Sequence, residues 1–322
     1  MDLQSIQQLL ASPLAEIESL LMQSFHTKAG LINELTAYTV HSGGKRLRPI
    51  LSLLTSYSCG YHGPNAITLA AIIEYIHTAT LLHDDVVDGS EQRRAKPTAN
   101  CIWSNPASVL VGDFLYSRAF QMMVSVNDMR ILDVMANTTN KIAEGEILQL
   151  MNRHNPHLGL HDYLEIIHAK TAKLFEAATM LGAILANQPQ PLVAQWGRFG
   201  LHLGVAFQMI DDLLDYVAPE DVLGKNLGDD LAEGKMTLPL IFLLENGTPA
   251  QQQLVTKAIS QGKTDALPPL IDAIKTSGAL EYARQLADKE IQLAKAALPD
   301  LPDSPYFQAL QALCQLTINR QY

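Results

Sequence analysis

Apolar positions along the chain recur mostly with helical spacing, and the alternation typical of β-strands is scarce. In the stretch NAITLAAIIEYIHTATLLHDD, apolar side chains fill most positions, which predicts a helix buried on nearly all sides. Pro64 before it and Gly89 after its acidic end are the expected stop signals. Four more long helices are predicted in PASVLVGDFLYSRAFQMMVSV, DMRILDVMANTTNKIAEGEILQLM, HDYLEIIHAKTAKLFEAATMLGAILAN and LVAQWGRFGLHLGVAFQMIDDLLDYV. We therefore predict an all-α protein built as a bundle of long helices.

The pattern changes after about Ala218. The segment PEDVLGKNLGDDLAEGKMTLP is polar, charged and rich in glycine, which indicates a functional loop carried on the bundle. Shorter amphipathic helices follow, with proline-containing breaks at ALPPL and LPDLPDSP, and we expect them to be peripheral. Because no Pro/Ser-rich linker or low-complexity tract separates these parts, the sequence predicts one domain over residues 1–322.

Composition limits the function classes. A chain of 322 residues, 48% of them hydrophobic, can bury a large core, and the formal net charge of −10 argues against nucleic acid as the main partner. Cys59, Cys101 and Cys314 are far apart and show neither metal-site nor disulfide spacing. The N-terminus lacks the basic region of a secretory signal, and charge or His interrupts the longest apolar stretches. We expect a cytoplasmic protein without a transmembrane segment.

Three aspartates lie at the end of the first long helix, in LLHDDVVDGSEQRR. Crowded carboxylates raise one another's pKa unless positive charge lies among them, and a divalent metal ion is the simplest source. In a helix, Asp84 and Asp88 project from the same face, so both can reach one group of metal ions. Arg93 and Arg94 suit a phosphate, since guanidinium donates paired hydrogen bonds to its oxygens. Taken alone, the stretch fits a solvated surface equally well.

A second acidic cluster, in FQMIDDLLDY, repeats the arrangement with Asp211, Asp212 and Asp215. Two Asp-Asp-x-x-Asp clusters, each at the polar end of an apolar helix, are poorly explained as two solvated surfaces. If the helices face each other across a bundle, their ends form two walls of carboxylates around one metal-diphosphate unit. Mg²⁺ fits these oxygen ligands, because it keeps several waters and shares phosphate oxygens, and Mn²⁺ is a substitute.

Basic residues elsewhere offer further phosphate contacts. SGGKRLRP places Lys45 and Arg48 after two glycines that allow close approach of the backbone. His77 lies two helical turns before Asp84 and so on the same face. The other candidates are Lys170 and Thr171 in HAKTAKLF, and Lys225 and Lys235 in GKNLGDDLAEGK. For each, a structural alternative stays open: a basic helix start, a core histidine, a surface lysine or a flexible charged loop.

Together these motifs resemble those of the trans-isoprenyl diphosphate synthases. Both aspartate-rich motifs, GGKRLRP, GDFL, EGEILQL, KT, FQ and GKNLGDDLAEGK occur in the family's order over nearly the whole chain. Among members, the chain is most similar to the octaprenyl diphosphate synthases of bacterial ubiquinone and menaquinone biosynthesis. It departs at Ala95, where the family often has Gly, and at Met236, where Pro is common. Neither departure removes a charged ligand.

The resemblance implies a helical bundle of the isoprenoid synthase type, a homodimer, and a prenyltransferase. An allylic diphosphate, with farnesyl diphosphate as the expected starter, would be joined to successive isopentenyl diphosphates to give octaprenyl diphosphate. The implied metal ligands are Asp84, Asp88, Asp211 and Asp215, and the implied catalytic residues are Asp84, Asp85, Asp88, Lys170, Asp211, Asp212 and Lys225. Arg93, Lys170, Lys225, Thr171, Gln208 and Lys235 would surround the allylic diphosphate, and Lys45, Arg48, His77 and Arg94 would hold the isopentenyl diphosphate.

Product length should depend on residues deeper in the first helix than its acidic end. Ala79 and Thr80 precede Asp84 by five and four positions, which is roughly 6–7.5 Å along a helix. Short-chain synthases resemble one another in carrying bulky aromatic residues here, so the two small residues predict an open tunnel and a long product. Candidates for a deeper floor are Ile76, Ile72 and Met123, although such residues are more often plain core. A shorter-chain farnesyl or geranylgeranyl diphosphate synthase remains the alternative.

Three other classes are weaker readings. Terpene cyclases usually mix Asn, Ser or Thr and Glu in the second site, where this chain has DDLLD. Squalene-type synthases commonly carry a C-terminal membrane anchor, whereas YFQALQALCQLTINRQY has polar residues throughout and is not expected to span a membrane. A non-catalytic partner subunit tends to lack some of the acids or lysines, and none is missing here. Peripheral membrane contact during product release is left open.

Overall fold

The computed structural model describes residues 1–217, 228–262 and 267–320, and over these ranges it contains helices and one short β-hairpin. The predicted all-α class is confirmed. The chain divides into two compact units. The first unit comprises Met1–Thr139, Leu174–Gly200 and Ala297–Leu313, and the second comprises Asn140–Lys173, Leu201–Ala296 and Cys314–Tyr322. The single-domain organisation expected over residues 1–322 stays a prediction.

The elements agree with the predicted helical segments. The earlier ones are α1 (Leu3–Leu9), α2 (Ala11–Ser24), α3 (Gly30–His41), α4 (Leu47–Ser58), α5 (Asn65–Val87), β1 (Gln92–Arg93), β2 (Lys96–Pro97), α6 (Ala99–Ile102), α7 (Asn105–Val126) and α8 (Met129–Met151). The later ones are α9 (Leu160–Ile167), a π-helical turn (His168–Ala172), α10 (Lys173–Leu185), α11 (Gln190–Val217), α12 (Asp229–Ala232), α13 (Leu238–Asn246), α14 (Pro249–Gln261), α15 (Leu267–Ser277), α16 (Ala279–Ala297) and α17 (Pro305–Ile318).

Helix α5 organises the core of the first unit, where it packs against α2, α4 and α7. It is apolar on nearly all sides, as its sequence predicts, and Ile72, Ile73 and Ile76 are fully buried. Pro64 precedes the helix, and Gly89, with φ of +67°, follows it. The helix therefore leads from a buried core to an acidic C-terminal end.

By length and composition, α5 is also the one helix in the described ranges that could cross a membrane. Its apolar window is 67% buried inside the protein. A core helix meets the same criteria, so this finding is weak support for a membrane span.

In the second unit, the short helices that follow α11 share a core with α9 and α11. Leu213, Leu238, Ile259 and Ile274 are buried in one apolar cluster. Tyr163 of α9 and Leu231 of α12 belong to the same cluster. The described part of the polar segment, from Gly228 onward, is therefore anchored by apolar side chains on both sides of Lys235.

A π-helical turn joins α9 to α10 and carries Lys170 and Thr171. Such turns are rare and often occur at functional sites. Gly145 of α8 lies against this turn: a Cβ at that position would be 2.7 Å from the Lys170 backbone nitrogen and 2.8 Å from Ala169 Cβ. Because real Cβ atoms do not approach so closely, glycine allows α8 to contact the turn.

Candidate active site

The acidic end of α5 presents its three aspartates in different environments. Asp84 and Asp88 are partly exposed, whereas Asp85 is 4% exposed. Asp85 Oδ1 accepts a hydrogen bond from Arg93 Nε and lies 2.8 Å from Arg93 Nη2. Burial, with a contribution from the charges of Asp84 and Asp88, raises the pKa of Asp85 although Arg93 acts against the rise. Asp85 thus orients Arg93, and Asp84 and Asp88 are the more accessible carboxylates for a cation.

A short β-hairpin carries both arginines that follow this cluster. Strands β1 and β2 pair in antiparallel register, Arg93 opposite Lys96, which leaves Arg94 and Ala95 as a two-residue loop. Both loop residues have positive φ, +56° and +59°. Two consecutive residues of this kind characterise a type I′ turn, which normally contains Gly or Asn. The hairpin was not expected from the sequence, because no Asn-Gly or Asp-Gly pair marks its turn.

Two further predicted residues, His77 and Arg48, lie together in the first unit. Arg48 Nη1 and His77 Nε2 are 3.2 Å apart, and the Arg48 guanidinium lies 4.7 Å from the centre of the Phe175 ring. Burial, followed by the positive charges of Arg48 and Arg94, lowers the pKa of His77 well below its ordinary value of 6.5. The imidazole is therefore neutral near neutral pH, and an anion bound among these cations would raise its pKa.

The glycine pair before Lys45 allows the chain to turn and also leaves space for a neighbouring side chain. Gly43 and Gly44 have positive φ values of +82° and +152°. A Cβ on Gly44 would lie 2.9 Å from Arg94 Nη1, so only glycine leaves room for this guanidinium against the backbone. The close approach predicted for a ligand is thus made by Arg94, and Lys45 follows directly in a partly buried position.

The three aspartates of α11 also differ in environment. Asp211 is the most accessible, with its side chain 36% exposed, and Arg320 Nη2 lies 3.5 Å from Asp211 Oδ1. Asp212 is 7% exposed, and Asp215 is fully buried. Asp215 Oδ2 accepts a hydrogen bond from the Asp230 backbone N–H at 3.2 Å. This hydrogen bond orients the Asp215 carboxylate, and the metal role expected of Asp215 stays a prediction.

A chain of hydrogen bonds connects the π-helical turn, α11 and α9. Thr171 Oγ1 donates to Gln208 Oε1 at 2.9 Å, Gln208 Nε2 donates to Asp212 Oδ1 at 2.7 Å, and Tyr163 Oη donates to Asp212 Oδ2 at 2.6 Å. Burial, with repulsion from Asp230, raises the pKa of Asp212 to about 8. Both Asp212 oxygens are engaged within the protein, so the chain fixes the side chains of Thr171 and Gln208.

The predicted lysines of the second unit are paired with acids. Lys170 Nζ donates to Glu146 Oε2 at 2.6 Å, and Lys235 forms an ion pair with Glu233 and lies 3.9 Å from Asp230 Oδ1. These pairs hold both ammonium groups at a cavity of about 100 Å³. The lining includes Lys170, Thr171, Gln208, Asp212, Asp230 and Lys235. Five of these six residues were predicted from the sequence, all but Asp230, and the fold brings them together.

The remaining predictions have different outcomes. Lys225 lies outside the described residues. Ile76 and Ala79 of α5 and Met123 of α7 are buried in the first unit, while Thr80 is partly buried and its hydroxyl donates to the His77 carbonyl. Helices α5 and α7 pack closely. Their role in setting product length stays a prediction.

The donor chemistry of the acidic clusters fits magnesium. Within the described ranges, no three His, Cys, Asp or Glu side chains converge as a ready metal site. Mg²⁺ does not require such a cage, because it is usually bound by one or two carboxylates together with waters and phosphate oxygens. The partly exposed oxygens of Asp84, Asp88 and Asp211 are suited to that mode.

Several residues that contact the predicted site residues were not singled out from the sequence. Glu146, Tyr163, Asp230 and Arg320 each contact a predicted residue in the second unit. Glu146 lies in EGEILQL, one of the quoted motifs, which could have pointed to it. No local pattern marks Tyr163 or Arg320, because their partners are distant in sequence.

The chain belongs to the polyprenyl synthetase family, whose sequence model matches residues 29–273. It is therefore a prenyltransferase, and members of this class act on prenyl diphosphates with divalent metal ions. The family expected from the motifs is confirmed.

The chain is also similar over nearly its full length to individual members of the family. The chain is 47% identical over 321 residues to octaprenyl diphosphate synthase of Escherichia coli (strain K12), covering 99% of each chain. It is 46% identical to an all-trans-nonaprenyl-diphosphate synthase (geranyl-diphosphate specific) of Rhodobacter capsulatus, covering 97% of this chain and 96% of that one. A solved polyprenyl synthase from Caulobacter crescentus CB15, complexed with calcium and isoprenyl diphosphate, matches with a TM-score of 0.96, 40% identity and coverage of 100% and 98%.

Proposed function

We propose that the protein is a long-chain all-trans polyprenyl diphosphate synthase that makes octaprenyl diphosphate from farnesyl diphosphate and successive isopentenyl diphosphates. The observation that carries the proposal is that the first unit contains two different groups of charged side chains, the aspartates at the end of α5 and the cations around His77. Asp84 and Asp88 suit a diphosphate bound through metal ions, whereas the cations around His77 suit a diphosphate bound directly. Condensation of two diphosphate substrates needs both kinds of site.

The allylic substrate loses its diphosphate when the carbon–oxygen bond breaks. Asp84, Asp88, Asp211 and Asp215 would hold Mg²⁺, or Mn²⁺ in its place, and the metal would supply positive charge to the departing diphosphate oxygens. Arg93, Lys170 and Lys225 bind the same diphosphate, and Thr171, Gln208 and Lys235 line its pocket. Arg93 is supported in this role by its contact with Asp85, and Lys170 by its pairing with Glu146. Apolar walls protect the allylic cation from water.

The second substrate is positioned rather than activated. Lys45, Arg48, His77 and Arg94 hold the diphosphate of isopentenyl diphosphate, so that its double bond attacks the allylic cation. The new carbon–carbon bond forms with electrons of that double bond, and the proton lost from the product passes to the released diphosphate. No side-chain base is required for this step.

The length of the product is proposed from the small residues of α5. Relatives making octaprenyl and nonaprenyl diphosphates are almost equally similar to this chain, at 47% and 46% identity. Ala79 is buried and small, and Thr80 is small and partly buried, so neither provides a bulky floor near Asp84. Ile76 and Met123 are the proposed deeper floor. A shorter product, farnesyl or geranylgeranyl diphosphate, is the alternative.

The cellular setting is also proposed. The product would supply the side chain of a respiratory quinone, ubiquinone in the first instance, and the enzyme would work in the cytoplasm with peripheral membrane contact during release.

A homodimer is supported by apolar side chains left exposed on α7 and at the start of α8, in which Leu110, Val124 and Met129 are 66–74% exposed. Sedimentation should then give twice the chain mass of 35.3 kDa.

The test is condensation of radiolabelled isopentenyl diphosphate with farnesyl diphosphate by the purified protein. We expect an extended product with Mg²⁺ and none in a chelator. Asp84→Ala should reduce turnover by roughly 10²- to 10³-fold, because charge on the leaving group is no longer neutralised. Asp133→Ala, at an exposed acid of α8, is the matched control. Near-normal turnover in folded Asp84→Ala would refute the metal assignment, and no condensation by the wild type would refute the function.

A further inference from the structure

One arginine near His77 is bound entirely by protein groups. Arg46 Nε donates to Glu18 Oε1 at 2.8 Å, and Nη2 donates to the Val40 carbonyl at 2.9 Å. Its Nη1 forms an ion pair with Glu74. The Arg46 side chain is only 11% exposed. The hydrogen-bonding groups of Arg46 are therefore engaged by Glu18, Val40 and Glu74.

The backbone of Arg46 forms the corner between the glycine pair and α4. It has φ of 50° and ψ of 34°, a left-handed conformation that a non-glycine residue adopts only when its surroundings hold it. Its carbonyl accepts the N–H of Ile50 at 2.9 Å, in the first turn of the helix. Lys45 precedes this corner and Arg48 follows it by two residues. The contacts that hold Arg46 therefore hold the backbone corner from which both basic side chains project.

Glu74 is the buried member of this arrangement. It is 4% exposed and lies on α5 one helical turn before His77, so the two residues share a face. Glu18, the other carboxylate on Arg46, has a side chain that is 42% exposed. The guanidinium of Arg94 lies against Gly44. The negative charge of Glu74 attracts Arg94, and this attraction opposes the repulsion between Arg94 and Arg46.

We propose that Glu74 is a positioning residue for the isopentenyl diphosphate site, acting through its ion pair with Arg46. The inference rests on the function proposed above for Lys45, Arg48, His77 and Arg94. Glu74 is buried and pairs with Arg46, so its proposed action on the substrate is indirect. Its loss should therefore weaken the binding of one diphosphate substrate and leave the other unaffected.

The experiment compares Glu74→Gln with Glu18→Gln, which removes the exposed carboxylate from the same guanidinium. Steady-state kinetics are measured with each substrate varied in turn, in excess Mg²⁺. For Glu74→Gln we expect KM for isopentenyl diphosphate to rise about tenfold, with KM for farnesyl diphosphate and kcat within about twofold of wild type. Glu18→Gln should differ from wild type by less than about twofold in all three, because its carboxylate is solvated.

The outcomes separate this inference from the proposed function. If wild type condenses the substrates and Glu74→Gln has an unchanged KM for isopentenyl diphosphate, or raises both KM values alike, the inference is overturned while the function stands. If Glu74→Gln does not fold, Glu74→Asp is measured, since it keeps the charge but shortens the reach to Arg46. A selective rise in KM for isopentenyl diphosphate supports the inference, and wild-type values overturn it. A wild type without activity overturns both.

Discussion

At the scale of single residues, the aspartates of each cluster differ in their surroundings: some accept hydrogen bonds from neighbouring side chains, and others are more exposed to solvent. Asp85 accepts from Arg93, and Asp212 accepts from Tyr163 and Gln208, so these carboxylates orient their neighbours. Asp84 keeps a partly exposed carboxylate. An ionised carboxylate can accept hydrogen bonds and bind a metal ion together, but buried hydrogen bonds from neighbours fix where its oxygens point. The residues that surround each acid, rather than its place in the motif, thus determine its role.

Ala95 is held in a conformation that favours glycine, since its φ is +59° in a two-residue hairpin loop. Ala95→Gly should raise the free energy of unfolding by about 1 kcal/mol, because the left-handed region costs an L side chain that much. Denaturant unfolding gives the value. Ala136→Gly, in the exposed interior of α8, is the control and should lower stability by about 1 kcal/mol. A loss of stability in Ala95→Gly would mean that the turn is not of this type.

His77 should make the free protein sensitive to acid. Its pKa is lowered in the folded state, so below about pH 6.5 the unfolded chain binds a proton that the folded chain does not. Stability should therefore be full above that pH and fall as pH decreases, by at most about 1.4 kcal/mol per unit. His77→Gln should reduce this slope, whereas His26→Gln, at an exposed position, should keep it. Equal slopes in all three proteins, measured by denaturant unfolding, would contradict the assignment.

At the scale of elements, the π-helical turn depends on its contact with α8. A β-carbon at Gly145 would overlap the backbone of Lys170, so Gly145→Ala should cost about 1–3 kcal/mol of stability and displace the lysine. We expect KM for farnesyl diphosphate to rise more than KM for isopentenyl diphosphate. Gly159→Ala is the control, because its β-carbon would meet no atom within 4 Å and its φ is −94°. Wild-type stability and kinetics in Gly145→Ala would show that the turn tolerates movement.

Long helices could be predicted because their apolar residues recur over many turns, as in α5 and α11. The hairpin could not, since Arg94-Ala95 lacks the usual turn residues and its two-residue strands have no periodicity. The π-helical turn was hidden for a similar reason: HAKTA fits an ordinary helix, and only the approach of Gly145 reveals the difference.

At the scale of the whole molecule, the chain carries a formal net charge of −10, yet several of its basic side chains lie where diphosphates are expected to bind. Four arginines act on His77 in the first unit, while Asp85 and Glu74 balance Arg93 and Arg46. The overall charge therefore says little about the site. Local pairing keeps the cations close together and ordered before a substrate arrives.

The spacing of charged residues predicted the acids of both clusters, and the resemblance to the family implied that Arg48 acts with His77 and Thr171 with Gln208. The supporting contacts could not be predicted, because they join residues far apart in the chain. Arg46 meets Glu74 across 28 positions, and Tyr163 meets Asp212 across 49. Only the packing of the helices brings such pairs together.

The most direct test of the account is the product profile of the purified protein with farnesyl diphosphate, radiolabelled isopentenyl diphosphate and Mg²⁺, compared with Ala79→Tyr. Ala79 is fully buried above the proposed tunnel floor, so a tyrosine there should block chain growth. Ala11→Tyr, at an exposed position of α2, is the control. We predict an octaprenyl product from wild type and control and a markedly shorter one from Ala79→Tyr. A wild type that stops at farnesyl or geranylgeranyl diphosphate, or a variant that still makes the full-length product, would contradict the account.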